Sequence, residues 1–318
     1  MMRTSESRHE CPFECDVRTR MRRKARGLRK RDASPMQDAF AHCEGLLRAA
    51  DKDRFLTTLF APAERREALF ALYAFNLEIA RVREVVREPV AGEIRLQWWS
   101  DVLGGASRGE VAAHPVAAAL LATIARYRLP PEPFKALIDA RRFDLYDEPM
   151  ATLGDLEAYA DGASASLIVL AAQILAAGGE PDIGALSHHA GLAHALAGLL
   201  AAFPVHAARG QLYIPLEILA RHGADRQEAK GPPATPQLLA ALAELRARAR
   251  RHLGAAQELL PPAAPAVMPA LLPVALAGPT LARMERRGYD PFVPVAIAPW
   301  RRQWLIWRAA RRPRRIFG

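Results

Sequence analysis

Between residues 151 and 200 there is not one Lys or Arg, and only five acids occur. Residues 162–178 and 190–205 are nearly continuous runs of Ala, Leu and Gly. Neither run reaches the roughly 18–20 apolar residues needed to span a bilayer, and both are interrupted by Ser, Gln or His. A helix that is apolar all round belongs in a core, so the two runs are expected as central helices of a large bundle. A membrane hairpin is the alternative.

The flanking sequence supplies the rest of such a bundle. Residues 64–86 place Leu69, Leu72, Tyr73, Asn76, Ile79 and Ala80 at steps of three and four between Pro62 and Pro89, which predicts one amphipathic helix. Further helices are expected over 91–103, after His114-Pro115, over 134–146 and over 237–260, with Pro-rich breaks at 231–236 and 261–273. Alternating strand patterns, Asn-Gly turns, repeats and a Gly-rich phosphate loop are all missing from the sequence. The expectation is an all-α single domain over 36–300.

The net charge of +10 lies outside that domain. Residues 1–33 carry +6 and residues 301–318 carry +7, which leaves 34–300 at −3. Basic tails without a groove-shaped patch of interleaved aromatics argue against nucleic acid as a partner. The first 35 residues lack the apolar core of a secretory signal, and their five acids are unlike a transit peptide. They read as a basic, disordered arm, or as a start placed upstream of Met21 or Met36. Cys11, Cys15 and Cys43 are too few for a disulfide framework, and a reducing compartment fits them.

At the other end Trp300, Trp304 and Trp307 recur at i, i+4 and i+7 among Arg301, Arg302, Arg308, Arg311 and Arg312. An aromatic face rimmed with arginine suits an anionic membrane surface, and packing of the tryptophans on the domain is the alternative. Trp300, Trp304, Trp307, Arg301 and Arg308 are the expected membrane contacts. A cytoplasmic protein, peripheral on the inner membrane, is the expected location.

Four ordered stretches carry a family resemblance. Residues 61–75 (APAERREALFALYAF), 141–145 (RRFDL, after Pro115 and Pro133-Phe134), 209–215 (RGQLYIP) and 287–292 (RGYDPF) resemble the motifs of the squalene/phytoene synthase family, over about 36–312. The resemblance implies an isoprenoid-synthase-type helical bundle around a central cavity. It implies head-to-head condensation of two prenyl diphosphates, with Mg²⁺ held between two aspartate-rich helix faces.

The carboxylates that this chemistry needs are missing. Where the family has Asp-Asp-x-x-Asp, this chain reads Ala80-Arg81-Val82-Arg83-Glu84, and where the second motif has Asn and two Asp it reads Gly198, Ala202 and His206. One carboxylate beside two arginines does not assemble a polynuclear Mg²⁺ site. Residues 74–88, 95–99 and 203–210 are similar to the branch of the family that contains a respiratory complex I assembly factor, which also lacks the aspartates.

A non-catalytic, membrane-associated scaffold or assembly-type factor, with a protein client and no cofactor, is therefore expected. An active prenyltransferase that retains Mg²⁺ and a metal-independent binder of prenyl diphosphate or anionic lipid are the alternatives. No catalytic and no metal-ligating residue is assigned. Lys52, Tyr73, Arg81, Glu84, His206, Arg209 and Tyr213 are the candidate ligand contacts. The acid pairs Glu157/Asp161 and Asp144/Asp147 are read as solvated faces, His188, His189 and His194 as core or boundary residues, and Trp98 and Trp99 as core anchors.

Overall fold

The computed structural model describes residues 34–106, 110–260 and 266–318, so Cys11, Cys15 and the N-terminal arm lie outside the described residues. Every regular element among the described residues is helical. Helix α1 (Pro35–Ala50) opens on a capping box in which the Ser34 hydroxyl accepts from Gln37 N and the Gln37 side chain accepts from Ser34 N. α2 (Lys52–Thr58) starts directly from Asp51. Next come α3 (Ala63–Ala80), α4 (Val82–Val85), α5 (Pro89–Leu103), α6 (Pro115–Tyr127) and α7 (Pro131–Phe143).

The expected single helix over 64–86 is two. α3 ends at Ala80, and Arg81 adopts φ −96° and ψ 2° before the single turn of α4. Residues 82–86 hold three valines, whose branched side chains weaken helix propagation, and Pro89 drives Glu88 into extended backbone at φ −111° and ψ 137°.

The first apolar run begins earlier than its composition suggested. Thr152 and Asp155 form a second capping box, from which α8 (Leu153–Ala160) passes through a π-helical turn (Asp161–Ala165) into α9 (Ser166–Leu175). The span Leu153–Leu175 is long and apolar enough to cross a membrane, yet its most apolar window is 67% buried inside the bundle. α10 (Gly184–Ala201) is the second run, and it lies against α13 (Pro236–Leu259), the π turn and α15 (Ala277–Met284). A Cβ on Gly191 would sit 2.6 Å from the Ala165 backbone, so only glycine lets α10 approach the π turn this closely. The short α11 (Phe203–Ala208), α12 (Leu216–Arg221) and α14 (Met268–Leu271) complete the wall.

The core gathers on α3. Phe75 is fully buried, with its ring edge-on to Trp99 at 4.9 Å and to Phe134 at 5.7 Å. Trp99 is thus the core anchor that the sequence suggested, whereas Trp98 is partly buried beside it. The C-terminal residues are part of the bundle. α16 (Pro299–Arg311) buries Leu305, Ile306 and Ala309, while Ile316 and Phe317 are buried beyond it. Trp300, Trp304 and Trp307 point outward, at 70, 48 and 48% exposure.

Candidate functional site: an arginine-lined cavity

Asp51 caps α2 by accepting from Arg54 N, and its second oxygen takes the Arg54 guanidinium at 2.8 Å. Burial raises the Asp51 carboxyl, but the Arg54 charge and hydrogen bonds override it and hold the group below its ordinary range. So fixed, Arg54 reaches a cavity of about 280 Å³ enclosed by the ends of α3, α7, α8 and α10 and by residues 202–213. Its wall carries Arg83, Glu84, Arg141, Asp144, Tyr159, Ser164, His194, His206, Arg209 and Tyr213. A second space of about 210 Å³, bounded by Asp53, Thr280 and Arg302, lies against the same Arg54, His194 and Gly198.

Asp144 organises the floor. It accepts from the Tyr213 hydroxyl at 2.6 Å, from Arg141 at 3.1 Å and from the Tyr159 hydroxyl at 3.3 Å, while Arg141 also donates to Tyr159 at 2.9 Å. Burial, and then the Asp144 charge, drives the Tyr213 hydroxyl above its ordinary range, so it remains a donor. Burial opposes the Arg141 charge, but Tyr159 and Asp144 more than compensate, and the guanidinium stays ionised. Asp144 is therefore a buried hub and not the solvated acid that its spacing from Asp147 suggested, because Tyr213 and Gln211 arrive from a segment some 70 positions away.

His194 and His206 are both pushed down to about 4 by burial, so at neutral pH the positive charge of the cavity comes from arginine alone. Each arginine faces a carboxylate: Arg54 meets Asp51, Arg141 meets Asp144, Arg83 meets Asp147 at 3.5 Å, and Arg209 meets Glu84 at 3.7 Å. The Nε groups of Arg83 and Arg141 are nevertheless buried without a partner.

Comparison with known proteins places this architecture. The model of the squalene/phytoene synthase family matches residues 47–308. The chain belongs to the squalene/phytoene synthase family. It is 28% identical over 255 residues to the human "NADH dehydrogenase (ubiquinone) complex I, assembly factor 6", covering 80% of this chain and 76% of that one. It is 26% identical over 212 residues to the 15-cis-phytoene synthase of Synechococcus elongatus, covering 62% of this chain and 68% of that one. Among solved structures, squalene synthase HpnC from Alicyclobacillus acidocaldarius superposes with a TM-score of 0.67 at 24% identity, over 81% of this chain and 97% of that one, a likeness of fold.

The residues that the sequence sets against the family's two aspartate-rich motifs meet across the cavity. Ala80 and Glu84 line one side of the cavity, and Gly198, Ala202 and His206 line the other. These residues do not fit Mg²⁺, a hard cation that needs oxygen ligands. Glu84 is the only carboxylate among them, and it pairs with Arg81 at 3.4 Å and with Arg209. Among the described residues no cluster of three or more His, Cys, Asp or Glu is arranged to hold a metal.

Of the candidate contacts, Glu84, His206, Arg209 and Tyr213 share the cavity wall. Tyr73 lies below it, buried, with Arg54 over its ring at 5.8 Å. Two candidates lie elsewhere. Lys52 is exposed at the start of α2, and Arg54 takes the inward position two residues on. Arg81 sits at the break after Ala80 and opens into a separate groove. The histidines divide similarly: His194 joins the cavity, whereas His188 meets Asp161 at 2.7 Å and His189 meets His252 at 2.9 Å on the outer side of α10. Glu157 is not a free acid either, because Arg248 binds it.

Proposed function

We propose that this chain is a non-catalytic member of its family that serves as an assembly-type factor for respiratory complex I, working at the inner face of a membrane. One observation carries the reading: the two helix faces that meet across the cavity present Ala80, Gly198, Ala202 and His206 where prenyl transfer needs magnesium-binding carboxylates. The cavity volume of about 280 Å³ adds to it, being at the small end of ligand pockets, which run to about 300–1,000 Å³. The human relative's name supplies the client, and the outward tryptophans of α16 supply the membrane contact.

Removing the gene should lower NADH-dependent ubiquinone reduction in the host's membranes, and restoring it should recover the activity. Purified protein given Mg²⁺ with farnesyl or geranylgeranyl diphosphate should release no C30 or C40 hydrocarbon. Formation of either product would overturn the reading.

The unpartnered Nε donors of Arg83 and Arg141 favour a second reading, in which the cavity holds a phosphate head group directly, without metal. Burial keeps His206 neutral down to about pH 4, and a phosphate beside it would favour the protonated ring. Binding would then take up a proton, so the Kd for inorganic pyrophosphate in EDTA should fall as the pH is lowered from about 7 to 5. Calorimetry on the wild type and on His206→Gln checks this. A pH dependence that survives unchanged in His206→Gln rules the reading out.

A further inference from the structure

A larger open space than the central cavity lies outside it, on the opposite side of α3 and α4. Ala80, Arg83 and Glu84 face the cavity, while Leu77, Glu78, Arg81, Val82 and Val85 face a groove of about 890 Å³ that α1, α5 and the start of α6 complete. Its volume falls inside the range of about 300–1,000 Å³ typical of ligand sites. The lining is largely apolar, from Leu46 on α1 to Trp98 and Ile94 on α5.

Two of these apolar side chains sit in contact with water. Val85 is 56% exposed and Ile94 is 66% exposed, and both border the groove. Trp98 packs edge-on to Trp99 at 5.0 Å and lies beside His114 at 5.0 Å, which makes an aromatic wall.

The polar groups of the groove are few and bring positive charge. Arg95 is exposed on α5 and makes no ion pair among the described residues. Arg81 borders the same groove, and its carboxylate partner is Glu84. Deeper in, Glu78 faces His114 at 3.5 Å. Burial pushes the Glu78 acid up to about 7, against the pull of Arg95, and burial with the His42 charge keeps His114 below its ordinary range. Near neutral pH Glu78 is therefore about half ionised and His114 uncharged, and the two arginines outweigh them at the rim.

We propose that this groove binds a single-chain anionic amphiphile, its hydrocarbon chain lying along Leu77, Val85, Ile94 and Trp98 and its carboxylate or phosphate head meeting Arg81 and Arg95. A flexible apolar chain removes Val85 and Ile94 from water, and a guanidinium takes either oxyanion in a bidentate manner. The site shares no lining residue with the arginine-lined cavity, so the proposal stands or falls separately from the function above.

The test is a fluorescence titration of the full chain with cis-parinaric acid below its micellar concentration. Saturable binding of one probe per chain is expected. Ile94→Asp and Arg95→Glu, both at exposed positions, should each weaken it at least tenfold while leaving the thermal melt unchanged, and the charge reversal Lys135→Glu on α7 should leave it alone. Competition with palmitate and with 1-palmitoyl lysophosphatidate distinguishes the two head groups, and hexadecanol, which has no anion, should displace the probe at least tenfold less well. Non-saturable binding, binding indifferent to Ile94→Asp and Arg95→Glu, or equal displacement by hexadecanol would each overturn the proposal.

Discussion

Replacing Asp144 with alanine should destabilise the protein by about 3–5 kcal/mol, the cost of removing one member of a buried ion pair. The side chains of Arg141 and Asp144 are only 17% and 11% exposed, so water cannot take the place of the lost carboxylate. Three donors, from Tyr213, Tyr159 and Arg141, would lose their shared acceptor at once. Asp144→Asn keeps the shape and one acceptor oxygen, and about half of the loss should be recovered. Tyr213→Phe deletes a single hydrogen bond to a charged group, worth about 1.5–3 kcal/mol. Urea unfolding of the three variants checks the order, and a loss below about 1 kcal/mol for Asp144→Ala would show that the acid does not sustain the buried guanidinium.

The second large effect concerns membrane attachment. A joint replacement of Trp300, Trp304 and Trp307 by serine should reduce flotation with anionic vesicles by about a hundredfold. Each tryptophan offers roughly 200 Å² of side chain, about half of it exposed here, and apolar burial contributes about 25 cal/mol per Å². Complete burial of all three therefore sets an upper bound of about 7–8 kcal/mol, of which a hundredfold loss, about 2.8 kcal/mol, needs roughly a third. The arginines should act beside them, since Arg308 lies over the Trp304 ring at 4.9 Å and Arg311 over Trp307 at 5.3 Å, and none of the three tryptophans supports the core. High salt should therefore weaken the wild type without abolishing its binding. Equal recovery of the wild type and the triple variant with anionic lipid would remove the membrane reading.

Much of the bundle was legible because an apolar run of helical length, free of Lys and Arg, has few places to go other than a core. The family motifs added the cavity, and Glu84, His206, Arg209 and Tyr213 do converge there. What escaped was direction. Arg81 and Arg83 are two residues apart, and which one faces inward depends on the neighbours of α3 and on the break after Ala80, neither of which is visible in spacing. Lys52 and Arg54 pose the same problem, resolved by the Asp51 cap that starts a new helix. Asp144 looked like half of an exposed pair because its donor Tyr213 comes from a distant segment. Arg209 was thus legible in the sequence, whereas the inward positions of Arg54 and Arg141 became visible only once the long-range packing was known.

The pairing of Arg302 with Asp53, with Nε to Oδ1 at 3.0 Å, joins α16 to α2 across 249 positions of sequence. At about 5–20 residues per second of synthesis, Asp53 emerges roughly 10–50 s before its partner. Until then the helix that carries Arg54 lacks its contact with α16, and the second space beside it lacks the wall that Arg302 provides. The second space is therefore finished only after α16 leaves the ribosome, and a chain cut short before Pro299 would fold around a site that has not been closed.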